Sequence, residues 1–450
     1  MDGLLLQSVV SVGVGAGVAG ALLKPYLFAA PKVHQPQVPA AWPVGAAKED
    51  DAELLRCCQI NVWSGSTYEL EPARASTLYH LFGHIIESGG GGKFGMFEKV
   101  EQTQDRRAAL VSELKRIRPA VVSLNEAASE AWVHELAAEL GMCALWHTGV
   151  AVIRVGPLSL PPGIEEGDAL LFHPGLVCEG TVRRRLSGKV FGRGLAVNFG
   201  DATQAIGALL RTPGGRRVFV VGTHWRATVI EDAATQAELE RLASQPALSA
   251  EQQASRRAAV LAEGAKIMRA GTAMRVEESE GVLQLLAGPV AALADGVVVL
   301  GDLNTAPDTE EVQMLLERGR LVDAWKIANE EASNRSAEGS GETGATWCRS
   351  NPNVELQLAH AESAGTHSGA PALPWESAEA AGSTGALAAE VHRRLLAWSE
   401  SETRRLDYIL PGGQLTVDSC CVDMARASSG TVVPSDHYGL VADLWLRSKI

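Results

Sequence analysis

Six short apolar runs, each with polar residues at or close to one end, constrain this chain more than any other feature. They are LLRCCQINVW at 54–63, AVVSL at 120–124, VFVVGTH at 218–224, GVVVLGDLN at 296–304, RRLDYIL at 404–410 and the closing HYGLVADLWL at 437–446. Runs of this length bounded by turn residues read as buried strands. Between them lie helical patterns: from about Asp105, residues Leu110, Val111, Leu114 and Ile117 recur at helical spacing until Pro119 stops the pattern. Strands alternating with helices, beside segments of pure strand, predict a layered α/β or α+β sandwich in preference to a doubly wound sheet. Matches to G-x-G-x-x-G occur at Gly15–Gly20 and Gly90–Gly95, neither in a strand-to-helix turn, and no G-x-x-x-x-G-K-[ST] exists. Nucleotide-cofactor folds are therefore disfavoured.

The flanks and insertions have their own character. Residues 1–30 form a hydrophobic N-terminal segment, uncharged from Gly3 to Leu23, which as a helix would be roughly 30 Å long, the thickness of a bilayer core. With Lys24 and Lys32 behind it, the segment predicts a membrane anchor through residues 3–23 with the catalytic domain on the cytoplasmic side; organelle targeting or a soluble chain is the alternative. Residues 31–52 are Pro-rich and read as a linker, and the folded domain is expected over 53–450. Within it, 229–271 reads as one or two solvent-exposed helices broken at Gln245-Pro246, and the Gly/Ser/Ala-rich stretch 330–403 reads as a long low-complexity insertion. Forty Lys plus Arg against 53 Asp plus Glu leave a charge of -13, which excludes a polybasic, histone-like role. The seven cysteines show no metal-binding spacing and read as reduced thiols.

Polar residues at strand ends are where sites are built. Along the chain these are Asn61 in INVW, Glu126 in SLNEA, His224 in GTHWRA, Asp302 and Asn304 in GDLN, Asp407 in RLDYIL, and Asp436 with His437 in PSDH. Carboxylates and an amide are oxygen ligands suited to a hard ion such as Mg²⁺, which keeps waters and leaves room for phosphate oxygens. Two histidines and a further Asp can position a water and stabilise charge on phosphorus. The inventory points to metal-assisted phosphoester hydrolysis. Of the two tryptophans beside these residues, Trp225 should turn away from His224, and Trp63 should share the face of Asn61; core packing is the expected role of both. His80, His84, His134, His147 and His173 share no spacing and read as surface or packed imidazoles.

Singly these motifs are weak, but N-V-W, N-E, T-H-W-x-A, G-D-x-N-x-x-P-D, R-L-D-Y-I and S-D-H-x-G-L, in that order from Asn61 to about Leu446, resemble the endonuclease/exonuclease/phosphatase superfamily. The resemblance implies a four-layered α/β sandwich of two packed mixed β-sheets flanked by helices. It makes Asn61, Glu126 and Asp436 the metal ligands, Glu126 the principal one, with Mg²⁺ as the cofactor and Mn²⁺ as a substitute. Asp302 would orient or deprotonate the attacking water, and Asn304 would hold it or a phosphate oxygen. His437 would contact the scissile phosphate, oriented by Asp407, and His224 would face the leaving group. The usual Gln-Glu is Asn125-Glu126 here.

Placement within the superfamily divides. Neutral sphingomyelinases are similar at N-V-W, T-H-x-x-A, GDLN-x-x-P-D, Thr346-Trp347 and S-D-H-x-G; deoxyribonuclease-like and deadenylase-like members share His224 or RLDYI. Three function classes follow: a Mg²⁺-dependent phosphodiesterase or phosphatase acting on a membrane phospholipid such as sphingomyelin, a nuclease or deadenylase acting on DNA or RNA, and a non-catalytic member of the fold. The expected partner is thus a phosphoester substrate, lipid or nucleic acid, and no stable protein partner is evident. Arg183, Arg184 and Arg185, with Lys189 and Arg193, form a local basic rim that could meet phosphates. The sequence further predicts that the strands carrying Asp407 and His437 pair as neighbours and so bring the two side chains together.

Overall fold

The computed structural model describes residues 33–36, 52–62, 100–127, 129–148, 153–155, 158–160, 167–187, 203–244, 250–335, 344–355, 384–425 and 432–447. The N-terminal segment 1–30, most of the linker 31–52, Trp63, His80, His84, Lys189, Arg193 and the Gly90–Gly95 tract lie outside the described residues.

In chain order the strands are β1 (Glu53–Asn61), β2 (Val121–Ala127), β3 (Cys143–Thr148), β4 (Ile153–Val155), β5 (Leu158–Leu160), β6 (Gly167–Phe172), β7 (Val177–Arg185), β8 (Gln204–Arg211), β9 (Arg217–His224), β10 (Gly296–Asp302), β11 (Asp407–Gly413), β12 (Leu415–Asp423) and β13 (Gly439–Leu446). The helices are α1 (Val100–Ile117), α2 (Glu130–Leu140), α3 (Ala233–Ala243), α4 (Ala250–Leu286), α5 (Glu310–Gly319), α6 (Ala324–Arg335) and α7 (Thr384–Ser401). One sheet has six strands in the order β12-β13-β1-β2-β6-β3, the other has five in the order β11-β10-β9-β8-β7, and β4 and β5 form a separate hairpin. Both large sheets are mixed: β1 runs parallel to β2, β9 runs parallel to β10, and their other pairings are antiparallel.

The two sheets stack face to face, and helices cover their outer faces. Leu55, Cys57 and Val121 of the first sheet share a core with Val218, Val220, Val298, Leu300 and Ile409 of the second. The alternate residues Cys58, Ile60, Val122 and Leu124 pack under Leu110 and Leu114 of α1 and Val133 and Leu136 of α2. On the opposite side, Phe219, Val221, Val299 and Tyr408 pack under Val282 of α4 and Val312 and Leu315 of α5. Helix, sheet, sheet and helix make the four-layered sandwich, each strand dividing its side chains between two cores by the period of two.

That period also delivers the polar residues. On the inner faces, Leu55 and Cys57 are followed in phase by Gln59 and Asn61, and Val298 and Leu300 by Asp302. His224 follows Val218 and Val220 in the same phase, and Asp407 precedes Ile409. The inter-sheet core therefore gives way to polar side chains at one rim. In the GDLN turn the glycine is required by contact: a Cβ on Gly301 would stand 2.0 Å from the carbonyl oxygen of Thr223 on the neighbouring strand.

Two expectations change. The membrane-anchored placement is corrected, because among the described residues no helix is long and apolar enough to cross a membrane. The described helices of sufficient length carry charge throughout, as in α4 (AEQQASRRAAVLAEGAKIMRAGTAMRVEESEGVLQLL), and residues 3–23 themselves lie outside the described residues. The helices of the 229–271 region are also less exposed than their composition suggests. Helix α4 continues to Leu286, and Met268, Arg275, Glu278, Ser279 and Val282 on it are buried.

Candidate active site at the sheet rim

In the five-stranded sheet, Asp302 stands directly beside His224 on β9 and beside Asp407 on β11. The facing sheet contributes Asn61 on β1, which is aligned with Asn125 on β2. Glu126 follows at an irregularity in the β2–β6 pairing. The segment before β13 adds Ser435, Asp436 and His437. All eight expected site residues except Asn304, Glu126 and His224 are buried, and those three are partly exposed.

The side chains converge. The Asn61 amide nitrogen donates to Glu126 Oε1 at 2.9 Å and to Asp302 Oδ2 at 3.1 Å, so two carboxylates from opposite sheets meet at one amide. His437 Nδ1 lies 2.8 Å from Asp407 Oδ2, and its Nε2 faces Asp302 Oδ2 at 3.7 Å. Asn304 donates its amide N–H groups to the Trp225 carbonyl at 2.8 Å and to His224 Nε2 at 3.2 Å. A donor at Nε2 leaves the neutral ring protonated on Nδ1, which faces Asp168 Oδ1 at 3.8 Å. His224 Nε2 is also 3.8 Å from Glu126 Oε1.

Backbone strain marks two of these positions. Glu126 has φ 54° and Asn304 φ 48°. Asn tolerates the left-handed region; for Glu, such strain persists only where surrounding structure enforces it, and it is common at functional sites. Asp436 is turned differently from Glu126: its Oδ1 lies 3.0 Å from Ser435 Oγ, which in turn donates to the Asn61 carbonyl at 2.5 Å.

The electrostatics follow from burying several charges together. Burial opposes a charge on His437, but the carboxylates of Asp407 and Asp302 outweigh it and raise the imidazole pKa to about 10. Asp302 is pushed up to about 6 by burial and by the charge of Asp407, against the opposing pull of His437 and His224. At neutral pH the site thus holds an imidazolium on Asp407 beside a carboxylate at Asp302.

A supporting layer, only part of which the sequence motifs named, holds these residues in place. Asn125 is a buried hub whose Oδ1 accepts from Gln59 Nε2 at 2.7 Å and from the Asp302 backbone N–H at 3.0 Å. Its Nδ2 donates to Asp168 Oδ1 at 2.8 Å. Gln59 also donates to Asp407 Oδ1 at 3.2 Å, and the hydroxyl of Thr346 accepts the backbone N–H groups of Leu406 and Asp407, each at 3.1 Å. Gln59 was findable as the in-phase neighbour of Asn61; Asp168, at the start of GDALLF, carried no signal beyond a short apolar run. Trp347 meets the His437 ring edge-on, with centroids 5.1 Å apart. Trp225 packs in the outer core beside Leu303 and Tyr408, on the face away from His224. Beta strands β11 and β13 belong to different sheets, so the expected neighbour pairing is replaced by contact across the sandwich.

The donor set fits a hard cation. Glu126 and Asp302 present carboxylate oxygens, and the Asn61 amide oxygen would face a cation only with the amide turned from the orientation that bonds both carboxylates; the Glu126 side chain is 28% exposed, so waters can complete a coordination shell. Asp302, Asp407 and His437 also have ligand atoms within 4.8 Å of one another. There, however, the His437–Asp407 hydrogen bond already pairs the charges.

Comparison with known proteins agrees with this architecture. The model of the Endonuclease/Exonuclease/phosphatase family matches residues 58–437. No curated protein matches the chain. Similar solved structures include the human Nocturnin catalytic domain with bound sulfate anion, at 16% identity and TM-score 0.45, covering 87% of this chain and 97% of that one. An endonuclease/exonuclease/phosphatase from Bacteroides vulgatus is 12% identical with TM-score 0.46, covering 88% and 100%. Truncated Caenorhabditis elegans TDP2 is 13% identical with TM-score 0.41, covering 87% and 97%.

Proposed function

The chain belongs to the endonuclease/exonuclease/phosphatase family, and on that premise we propose that it is a Mg²⁺-dependent hydrolase that cleaves a phosphoester or phosphodiester bond with water. One observation carries the reading: the carboxylates of Glu126 and Asp302 converge on the Asn61 amide beside a histidine held by a buried carboxylate, with His437 Nε2 3.7 Å from Asp302 Oδ2.

Glu126 would be the principal residue holding the cation, with Asn61 and Asp436 in the metal and phosphate shell and Asp302 kept for the water. When bound, Mg²⁺ neutralises charge on the phosphate oxygens and lowers the pKa of water. Asp302 Oδ2, ionised near neutral pH, orients the attacking water and takes its proton. His437 gives its Nδ1–H to Asp407, which leaves Nε2–H aimed into the site, where it donates to an oxygen of the scissile phosphate. Asn304 fixes His224 through Nε2 and so sets the leaving-group side.

Nucleic acid is the substrate class with a specific observation in its favour. Arg185 on β7 is directly opposite Gln204 on β8, and Gln204 is directly opposite His224, so a cationic side chain extends the row of site residues toward the sheet edge. A side-by-side release assay on sphingomyelin vesicles, single-stranded RNA and nicked DNA in Mg²⁺ tests the proposal. Release from RNA or DNA alone supports Arg185 as a backbone contact. Release from the vesicles alone removes it, and no release from any of the three sinks the hydrolytic reading.

A further inference from the structure

We propose that Arg275 and Glu278, on the long helix α4, are positioning residues that hold the loop after β9 from behind, Arg275 tying it to the loop after β10, and thereby fix His224 against Asn304. The inference rests on the reading that His224 and Asn304 serve the reaction.

The clamp is a stripe on one helix face. Gly271, Arg275, Glu278, Ser279 and Val282 recur at three- and four-residue spacing. At Gly271 the helix comes so close to the loop after β9 that a Cβ would stand 2.8 Å from both Thr228 Oγ1 and the Val229 carbonyl. The Arg275 guanidinium, fully buried, donates to Thr228 Oγ1, to the Val229 carbonyl at 3.4 Å and to Glu311 Oε1 at 2.6 Å. Glu311 Oε1 accepts as well from Thr305 Oγ1 at 2.7 Å, and Thr305 follows Asn304. Its carbonyl is held by the Tyr408 hydroxyl at 2.9 Å. Glu278 Oε2 accepts the backbone N–H of Arg226 at 3.2 Å, while Oε1 accepts from Ser187 Oγ and Thr203 Oγ1, each at 2.6 Å.

The two loops are therefore bridged twice. On the site side Asn304 reaches the Trp225 carbonyl and His224 Nε2; behind it, Arg275 ties Thr228 and Val229 to the Glu311–Thr305 pair. A buried ion pair, with side chains 0% and 1% exposed, is an expensive way to gain stability and is better suited to holding one arrangement against others. Polar side chains of this kind are not needed to cover the outer core, which Val282, Leu283 and Val312 already pack.

The test uses the full chain with ¹⁵N-labelled histidine. In Arg275→Met the His224 imidazole signal should move while the His437 signal, held by Asp407, stays in place. Turnover should fall on the order of 100-fold in kcat, as expected for an ångström-scale misplacement, with little change in KM. Glu278→Gln keeps one acceptor oxygen for Ser187 and Thr203 but sets an amide N–H group against the Arg226 N–H, so it should displace the His224 signal, and Glu278→Ala should displace it further. Should Arg275→Met fail to fold, Thr228→Ala removes one anchor of the clamp without unpairing the buried ion pair and should displace the same signal by less. An unmoved His224 signal in the folded variant, or in Thr228→Ala if Arg275→Met does not fold, overturns the clamp. Displaced signals in a protein that hydrolyses none of the three substrates keep the clamp and overturn the hydrolytic reading instead.

Discussion

The Asp407 carboxylate and the His437 imidazole meet across the space between two sheets, Oδ2 to Nδ1 at 2.8 Å. Neither side chain is left to choose its position. Asp407 is fixed by Gln59 from the facing sheet and by the Thr346 hydroxyl at its backbone N–H, and the His437 ring lies against Trp347. Groups held as a unit give non-additive losses. The double variant Asp407→Ala/His437→Ala should be scarcely slower than His437→Ala alone when kcat/KM is measured for all four corners of the cycle. Losses that multiply fully would show that the two act independently.

Glu126 combines its proposed metal-holding role with a strained backbone. A non-glycine residue at φ 54° carries roughly 1–3 kcal/mol of strain, which a glycine would relieve. Glu126→Gln should abolish turnover at unchanged stability, since size and backbone are kept. Glu126→Gly should abolish turnover as well, yet unfold at a urea concentration no lower than wild type, the relief of strain offsetting the lost Asn61 contact. A marked destabilisation by glycine would mean that the left-handed conformation at this position is not strained.

The carboxylate oxygens of Glu126 and Asp302 around Asn61 should discriminate among metals. EDTA should remove activity reversibly, and Mg²⁺ or Mn²⁺ should restore it. Stoichiometric Zn²⁺ in the purified protein, with indifference to Mg²⁺, would transfer the metal to the histidine-containing group of Asp302, Asp407 and His437.

Asp302 supplies a pH dependence of activity. Its carboxyl is raised to about 6 by burial and by Asp407, and only the ionised form can take a proton from water. The rate should rise with pH through the region near 6 and level above it, because His437 keeps its proton until about 10. Asp302→Asn should lose the activity together with that limb. Wild-type rates in that variant would remove Asp302 from the chemistry.

Much of the site was legible because strand periodicity and site chemistry share the same residues. Val298, Leu300 and Asp302 are one alternating set, so a run that ends in a polar residue announces both a strand and its functional end. The same logic located Asn61, His224 and Asp407. It could not reach Asp168, whose strand GDALLF is too short to tell from a helical segment by pattern, nor the partner of β13, because register and sheet membership depend on long-range pairing. Arg275 failed for another reason. Helix α4 is charged on all sides, and composition alone cannot tell a solvated Arg from one buried against Glu311.

The last prediction concerns stability, and it comes from a histidine outside the reaction. His147 on β3 is buried, and its pKa is pushed down to about 3, first by burial and then by the nearby charge of Arg183. In the unfolded chain an imidazole titrates near its ordinary 6.5. Between those values the unfolded chain binds a proton that the folded chain refuses, so the unfolded state gains as the pH falls. Stability tied to His147 is therefore complete above about pH 6.5 and is lost on acidification toward about 3, at a rate approaching about 1.4 kcal/mol per pH unit for one proton. His147→Gln cannot take up that proton. Urea midpoints measured from pH 7 down to pH 4 should fall less steeply for His147→Gln than for wild type, the two curves diverging only below about 6.5. Parallel curves over the whole range would show that the acid sensitivity arises from other groups.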